Sequence, residues 1–477
     1  MDSLTTYSPF IAHNSSVPMI LTILQQVLFV IALGITAYIF RRRVLEISYN
    51  IKMGKAEDRS GDSGQRFKNM MMLAFGQKKM FRQWKPAIMH FIIYAGFLLI
   101  NIEVLEIVLD GLFGTHRMFA PILGGFYNVI ISFFELLAVG VIIACVVFLI
   151  RRNFTEKARF KAKEMEGWAG LDGNLILVIE IVLMSAILKM NAADLAIQAN
   201  GFDPTHYHQT GSFLVSGLLA PIFMNFSETT LLVIERLAWW AHILGIFAFL
   251  IYVTYSKHLH IFLAFPNAYF GALDQGEQKG EMVNMPRITE EIKLMLNPDA
   301  PMPEEDPDAQ PEKFGAKDVT DLSWKNMMDA YACTECGRCT EACPANQTGK
   351  LLSPRKIMMD VRDRAEELGA AKRKNGADFD DGKTLLHDYI SVEELRGCTT
   401  CNACVQECPV SINPLDVILD LRRYLILEES NSPEEWNLMF NNIETNYAVW
   451  KFNPDERGNW MMELEEENNQ GANESQS

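Results

Sequence analysis

Eight of the nine cysteines repeat one spacing that is typical of iron–sulfur proteins. Both copies read Cys-x-x-Cys-x-x-Cys-x-x-x-Cys-Pro, and their cysteines are Cys333, Cys336, Cys339 and Cys343, then Cys398, Cys401, Cys404 and Cys408. In this pattern three closely spaced thiolates bind one [4Fe–4S] cluster, while the cysteine before proline binds the other cluster. The spacing predicts one cluster on Cys333, Cys336, Cys339 and Cys408, and a second on Cys398, Cys401, Cys404 and Cys343.

Structural zinc is the main alternative for these thiols. Zinc sites usually pair two Cys-x-x-Cys knuckles, so the third cysteine and the proline of each copy would have no role. Disulfides are rare in a reducing cytoplasm. Two [4Fe–4S] clusters are therefore the preferred assignment.

Histidines in apolar segments are a second candidate for redox chemistry. His242 and His260 are 18 residues apart, so one continuous helix would place both on the same face about 27 Å apart, with His258 pointing away. A b-type haem is held by a neutral imidazole on each side of the iron, and His90 is an available partner on another helix. The alternative is that these histidines make only polar packing contacts.

Transmembrane helices are the elements that must carry these histidines. Five apolar stretches are long enough to cross about 30 Å of hydrocarbon, and they lie at about 19–40, 86–109, 122–150, 174–190 and 230–255. Residues 212–226 are shorter and contain Gly217 and Pro221, which indicates an interfacial or re-entrant segment. The predicted fold is mainly α, with a five-helix transmembrane bundle followed by a cytoplasmic α-helical ferredoxin-type domain.

Charge divides the chain into two parts. Of the 477 residues, 49% are hydrophobic, and the net charge is -16. Residues 1–260 carry 22 basic and 18 acidic side chains, whereas residues 261–477 carry 21 and 41. A nucleic-acid partner is not expected, because such binding needs a basic face.

The basic residues also predict an orientation in the membrane. The loop between the first two spans holds 12 Lys and Arg and residues 151–163 hold six, whereas residues 1–18 and 191–228 hold none. By the positive-inside rule the N-terminus faces outward and the iron–sulfur part lies in the cytoplasm. We expect a multi-pass protein of a bacterial or archaeal cytoplasmic membrane.

The predicted domain order follows from these patterns. It consists of an outer tail at 1–18, a cytochrome-b-like domain at 19–265, an acidic Pro-rich linker at 266–319, the dicluster domain at 320–450, and an acidic tail at 451–477. The linker composition cannot bury a core, so a semi-rigid spacer is expected there. The end of the tail is expected to be disordered for the same reason.

Carboxylates within the spans are candidates for proton transfer to a quinone. The candidates on the second and third spans are Glu103, Glu106 and Glu135. The alternative is that intramembrane carboxylates only form ion pairs, such as Glu180 with Lys189 or Glu235 with Arg236.

The histidine segments resemble the respiratory nitrate reductase gamma subunit, a five-helix cytochrome b. The resemblance rests on His242 with Leu244-Gly245, on residues 255–262, and on His90 with Gly96 six residues later. It implies that His90 and His260 hold a haem b near the inner face. This chain has Ile100 where that family has its second ligand on the second span, so a possible second haem on His242 lacks its expected partner. The other candidate ligands would be His116, His206 or His208 from an outer loop.

The cysteine segments resemble the small iron–sulfur subunit of heterodisulfide reductases. The resemblance rests on the two cysteine motifs and on Lys350-Leu-Leu-Ser-Pro-Arg between them. The same segments are similar to electron-transfer-flavoprotein:menaquinone oxidoreductases, a superfamily that includes fusions to a nitrate-reductase-gamma-like cytochrome. Such enzymes generally continue into a domain with paired Cys-Cys-Gly motifs, which this sequence lacks. The resemblance therefore implies a separate Cys-Cys-Gly-type or flavoprotein subunit as the cytoplasmic partner.

Together, these expectations predict that the chain is the quinone-reactive subunit of an oxidoreductase complex. It would pass electrons between a cytoplasmic partner and the quinone or menaquinone pool through two [4Fe–4S] clusters and haem b. The alternative is a haem-free membrane anchor that relays electrons for a partner dehydrogenase or a heterodisulfide-reductase-like subunit.

Overall fold

A computed structural model of the chain describes residues 16–155, 157–204, 206–273, 292–297, 313–451 and 453–474. Within these residues the chain forms helices and no sheet. Its first five long helices are α1 (Ser16–Lys52), α2 (Trp84–Phe113), α3 (Gly125–Phe154), α4 (Trp168–Asn200) and α5 (Glu228–Val253). All five are long and apolar enough to cross a membrane. The sequence prediction of five spans followed by a helical ferredoxin-type domain is confirmed.

Two of these helices extend well beyond their apolar stretches. α4 continues past Met190 with polar side chains that are nevertheless buried, among them Asn191, Asp194 and Gln198. α1 continues past Phe40 to Lys52. Hydropathy does not detect either extension, because the added residues are buried by protein contacts rather than by lipid.

The helix break after α5 contradicts the expectation of a continuous helix from His242 to His260. α5 ends at Val253, a short 3₁₀ turn covers Lys257–Leu259, and α6 (His260–Tyr269) follows. The carboxylate of Asp172 holds this break, since Oδ1 accepts a hydrogen bond from Ser256 Oγ at 2.8 Å and Oδ2 accepts one from the Lys257 backbone N–H at 3.2 Å. As a result, His258 does not point away from His260.

Short helices connect the spans at both ends of the bundle. On the side of the dicluster domain they are Ser63–Met70, Met71–Phe75 and Met80–Arg82, with short turns at Ala158–Phe160 and Lys163–Met165. At the opposite end, which we call the distal end, they are Ala120–Leu123, Ser216–Leu219 and Ala220–Ile222. Residues 212–226 therefore do not span the bundle, as predicted.

The dicluster domain is built on α7 (Trp324–Ala332), α8 (Pro354–Asn375) and α9 (Pro414–Leu427). Each begins at a polar N-cap that accepts a backbone hydrogen bond, namely Ser323, Ser353 and Asn413. Such caps satisfy backbone donors that the first helical turn leaves free. Shorter helices at Arg338–Glu341, Pro344–Gln347, Val392–Arg396 and Ala403–Glu407 carry the cysteine motifs or adjoin them.

The extension of α1 beyond Phe40 packs into the dicluster domain. Ile47 belongs to the same buried apolar cluster as Leu322, Met327 and Ile357. Arg43 Nη2 lies 2.6 Å from Glu366 Oε1, and Asn50 Nδ2 donates a hydrogen bond to the Tyr331 hydroxyl at 2.7 Å. The membrane bundle and the dicluster domain are thus joined by a shared core and by polar contacts.

Parts of the predicted linker and tails lie outside the described residues. This holds for residues 1–15, 274–291, 298–312 and 475–477. The linker was predicted to begin at residue 266, but α6 continues to Tyr269. After α9 the chain forms α10 (Glu434–Asn446), a short turn at Pro454–Gly458 and α11 (Asn459–Glu474). The end of the tail, residues 463–477, was expected to be disordered, but α11 continues to Glu474.

Candidate iron–sulfur and haem sites

Four thiols from both cysteine motifs surround one small cavity in the dicluster domain. The cavity has a volume of about 20 Å³, and its lining includes Cys333, Cys336, Cys339 and Cys408. These are the four residues that the spacing assigns to the first cluster. The geometry therefore brings the fourth cysteine of the second motif to the first motif.

The two motifs share an unusual local backbone conformation. Glu335 and Gly337 have φ values of 51° and 70°, and the equivalent residues Thr400 and Asn402 have φ values of 56° and 65°. The N–H of Glu335 donates to Cys333 Sγ at 3.4 Å, and the N–H of Thr400 donates to Cys398 Sγ at the same distance. Hydrogen bonds to sulfur are one way in which proteins tune iron–sulfur clusters. Each loop is therefore shaped to direct its thiolates and backbone N–H groups towards a cluster site.

The second group of thiols lies nearer to the surface. Burial raises the pKa of Cys404 to about 12, with smaller contributions from the neighbouring Cys398, Cys343 and Cys401. Cys401 is exposed, whereas the other seven thiols of the two motifs are buried or partly buried. Because iron binds thiolates and a cluster of thiols resists ionisation, cluster assembly must release protons here. The donor set fits a [4Fe–4S] cluster, and its exposed edge is open to an electron-transfer partner.

A larger cavity lies between the first cysteine motif and the membrane helices. Its volume is about 340 Å³, and one wall carries His90, His258 and His260. The lining also includes Glu335 and Cys336 of the first motif. The structure therefore places both predicted haem ligands beside the predicted first cluster.

Two of these imidazoles have an acceptor at Nδ1, as metal-binding histidines usually do. His90 Nδ1 lies 3.2 Å from Gln77 Oε1, and His260 Nδ1 lies 3.0 Å from the Lys257 carbonyl oxygen. An acceptor at Nδ1 selects the tautomer that leaves the Nε2 lone pair available to a metal. The residues therefore fit a haem b held by Nε2 of each ring.

His258 is a site residue that the sequence argument set aside, and this was wrong. Its ring centroid lies 5.4 Å from that of His260, in the same cavity. Its Nδ1 is buried without a hydrogen-bond partner among the described residues. The helix break held by Asp172 is the cause, and no local pattern in the sequence signals it.

His242 lies elsewhere in the bundle. It is fully buried, its Nδ1 lies 2.9 Å from the Leu183 carbonyl oxygen, and its Nε2 has no partner among the described residues. It is not part of the cavity that His90 and His260 line.

The other candidate ligands for a second haem gather with one another at the distal end. The His116 ring lies 5.2 Å from that of His206 and 6.4 Å from that of His208. His116 Nε2 also lies 3.3 Å from Asp194 Oδ1. His208 Nε2 is buried without a partner, but among the described residues none of the three distal histidines contacts His242, so the geometry gives a second haem no support.

The carboxylates predicted for proton transfer lie in the distal half, away from the histidine cavity. Asn191 Nδ2 donates to Glu103 at 3.3 Å and to Glu135 at 3.2 Å. Glu106 accepts a hydrogen bond from the Tyr127 hydroxyl at 2.7 Å. The three form part of a buried polar network, and the histidine cavity does not include them.

Glu180 is the intramembrane carboxylate that lines the histidine cavity. The expected ion pair with Lys189 is wrong, because both residues lie on α4, nine positions and therefore about 13 Å apart along its axis. The other expected pair is confirmed, with Arg236 Nη2 donating to Glu235 Oε1 at 2.7 Å.

The fold and the cysteine pattern define a membrane protein with an iron–sulfur electron-transfer role. Residues 332–412 match the family described as a 4Fe-4S dicluster domain. The chain is 29% identical over 475 residues to the probable iron-sulfur-binding oxidoreductase FadF of Bacillus subtilis, covering 92% of this chain and 61% of the relative. It is 25% identical to the EtfAB:quinone oxidoreductase of Syntrophomonas wolfei, covering 86% of this chain and 56% of the relative.

A third relative matches the dicluster region alone. It belongs to the ferredoxin/F(420)H(2)-dependent CoB-CoM heterodisulfide reductase of Methanosarcina acetivorans and is 34% identical over 123 residues, covering 26% of this chain and 62% of the relative. The predicted resemblance to heterodisulfide reductases is thus confirmed for the dicluster domain. No solved structure matches the chain. The chain spans 61% and 56% of the lengths of the two long relatives.

Proposed function

We propose that the chain passes electrons between a cytoplasmic partner and the quinone pool through two [4Fe–4S] clusters and haem b. The observation that carries this proposal is the cavity that His90 and His260 share with the first cysteine motif. Electron transfer between cofactors needs short distances and a protein that positions them and excludes water. Two relatives named as oxidoreductases, one of them as acting with EtfAB and quinone, support the same role.

The residues of the cavity would bind and shield a haem. His90 and His260 supply Nε2 from two different helices, and Phe97, Phe148 and Phe265 are among the apolar side chains of the wall. A bound haem b would accept and donate one electron at a time at this position. The chain's own task is to fix the two imidazoles and keep the site dry.

The positions of the two groups of thiols suggest where the soluble partner binds. The thiols assigned to the first cluster adjoin the membrane cavity, whereas exposed Cys401 marks the outer edge of the second group. We therefore infer that a Cys-Cys-Gly-type or flavoprotein subunit exchanges electrons at the second cluster. The quinone would react on the membrane side, where Glu180 is the intramembrane carboxylate that lines the cavity.

The orientation proposed for this chain follows from its basic loops. The dicluster domain lies in the cytoplasm and the distal histidines face outward. Alkaline phosphatase fused after Pro204 should therefore be active in cells, whereas the same reporter fused after Lys161 should be inactive. The opposite pattern would reverse the proposed topology.

Cofactor analysis of anaerobically purified protein tests the function. We expect about eight iron atoms in clusters per chain with matching acid-labile sulfide, and a pyridine haemochrome of b type. A menaquinone analogue should reoxidise the dithionite-reduced protein. Clusters without haem would favour the haem-free relay, and absence of both iron and sulfide would refute electron transfer by this chain.

A further inference from the structure

Three arginines gather around one aromatic ring in the wall of the histidine cavity. The guanidinium carbons of Arg151, Arg152 and Arg159 lie 5.9, 5.6 and 5.0 Å from the ring centroid of Phe160. All four residues line the cavity, as does Arg338. We call Arg151, Arg152, Arg159 and Arg338 the arginine cluster.

The contacts within the described residues leave the charge of this cluster largely unbalanced. Arg159 Nη1 pairs with Glu341 at 2.7 Å on the solvent side, but its Nε is buried without a partner. Arg152 donates to the neutral oxygens of Asn174 and Gly170, both at 3.1 Å. Neutral acceptors do not offset the repulsion between neighbouring guanidinium groups in a low-dielectric site.

The other two members also lack carboxylate partners. Arg338 contacts the carbonyl oxygen and the sulfur of Met80, at 3.5 and 3.0 Å, and both are neutral. Among the described residues, Arg151 has no carboxylate within ion-pair distance. Three arginines of the wall, Arg151, Arg152 and Arg338, therefore have no carboxylate within ion-pair distance among the described residues.

The carboxylates nearest to the cluster are engaged elsewhere. Glu335 is held by Lys257 and Arg362, each at 2.7 Å. Asp172 accepts hydrogen bonds from the Ser256 hydroxyl and the Lys257 backbone. Glu180 also lines the cavity, but it forms no ion pair with an arginine of the cluster among the described residues.

We infer that the arginine cluster binds the anionic end of a ligand whose apolar body fills the cavity. Guanidinium groups bind carboxylate and phosphate with paired, charge-assisted hydrogen bonds. The anion could be the two propionate carboxylates of haem b or the phosphate of an anionic phospholipid. The first source rests on the proposed function, whereas the second does not.

The test uses the full-length protein purified in mild detergent, with variants Arg151→Gln, Arg338→Gln and the charge-conserving Arg151→Lys. Arg42→Gln is the matched control, because its side chain is 71% exposed and pairs with Glu46 at 3.2 Å on α1. Four quantities are measured on each sample: haem per chain, the rate at which haem is released, the haem midpoint potential, and co-purified phospholipid by mass spectrometry. Acid-labile sulfide reports whether the dicluster domain remains intact.

If haem propionates are bound, Arg151→Gln and Arg338→Gln should release haem roughly ten-fold faster, as expected for one lost charge-assisted hydrogen bond. The midpoint potential of retained haem should become more negative, because a positive charge that favours the reduced form is gone. Arg151→Lys and Arg42→Gln should resemble the wild type in both respects.

If a phospholipid is bound, haem should be unchanged and anionic lipid retained by the wild type should fall in the Gln variants. A wild type without haem refutes the proposed function, while the lipid measurement still decides this inference. Unchanged haem release, potential and lipid content in both Gln variants, with normal sulfide, would overturn it.

Discussion

The ammonium group of Lys257 lies 2.7 Å from Oε2 of Glu335, and this ion pair joins the histidine segment to the first cysteine motif. Lys257 directly precedes His258, and Glu335 directly precedes Cys336. Both side chains are buried, and Arg362 Nη1 holds the second carboxylate oxygen of Glu335 at 2.7 Å. One buried network therefore fixes the histidine cavity relative to the first group of thiols.

Removing the charge of Lys257 should destabilise this junction. Lys257→Met leaves Glu335 with one cation in a buried site, and breaking such a pair costs about 3 kcal/mol. We expect a lower unfolding temperature and slower reduction of the membrane cofactor by reduced clusters. Differential scanning fluorimetry and stopped-flow spectroscopy measure these effects. Lys257→Arg is the control. If Lys257→Met and the wild type had the same unfolding temperature and the same reduction rate, the ion pair would have no positioning role.

The crossed assignment of the cysteines predicts distinct losses from two single substitutions. Cys408→Ser should remove the cluster next to the membrane cavity, and Cys343→Ser should remove the outer cluster, each lowering the iron content by about four atoms. EPR of the reduced protein would resolve which signal disappears. Only Cys408→Ser should leave the outer cluster reducible by a soluble donor. Loss of the same signal in both variants would contradict the assignment.

The proposed haem ligands can be separated from the other buried histidine. His90→Ala removes one Nε2 from the cavity and should abolish haem binding, with sulfide content unchanged. His242→Leu should retain haem, because His242 does not line that cavity. The pyridine haemochrome spectrum decides both cases. Loss of haem in His242→Leu alone would show that the haem is held by His242 in the middle of α5 and not by His90.

Asp416 predicts a pH dependence of stability in the dicluster domain. Burial raises the pKa of Asp416 to about 7, and the neighbouring Asp329 and Asp420 contribute. Between pH 4 and 7, roughly, the folded state keeps a proton that the unfolded state has lost, so stability falls as the pH rises through this window. Asp416→Asn removes this dependence and should stabilise the protein at pH 8 by on the order of 1 to 3 kcal/mol.

Thermal unfolding at pH 5.5 and pH 8 measures that effect. The difference between the two pH values should shrink in Asp416→Asn relative to the wild type. Asp378→Asn is the matched control, because Asp378 is exposed. An unchanged difference in Asp416→Asn would show that the carboxyl group of Asp416 is already ionised in the folded protein at pH 5.5.

The sequence predicts best those features that depend on local spacing. The thiols of each motif lie within ten residues, and apolar length alone indicates five spans. The break after Val253 depends instead on Asp172, more than 80 residues away, so the position of His258 could not be predicted. The distal part of α4 was missed because Asn191 and Asp194 are polar but buried by partners from other helices.

The arginine cluster was missed for a related reason. Arg151, Arg152 and Arg159 were interpreted only as cytoplasmic loop charges that set the orientation. Their convergence on Phe160 depends on the short turn Ala158–Phe160 folding back under α3. The number of basic residues in a loop predicts the side of the membrane on which the loop lies. Only the fold shows that these arginines line a cavity.

The uninterrupted course of α1 from the bundle into the core of the dicluster domain has a kinetic consequence. With Ile47 in that core and Arg43 paired to Glu366, the domain cannot swing on a tether between donor and acceptor positions. Electron exchange across the junction is then a tunnelling event over a constant gap, without a diffusive search. Its rate should be insensitive to added glycerol or sucrose, whereas delivery of electrons by a separate soluble protein should slow as the solvent becomes more viscous.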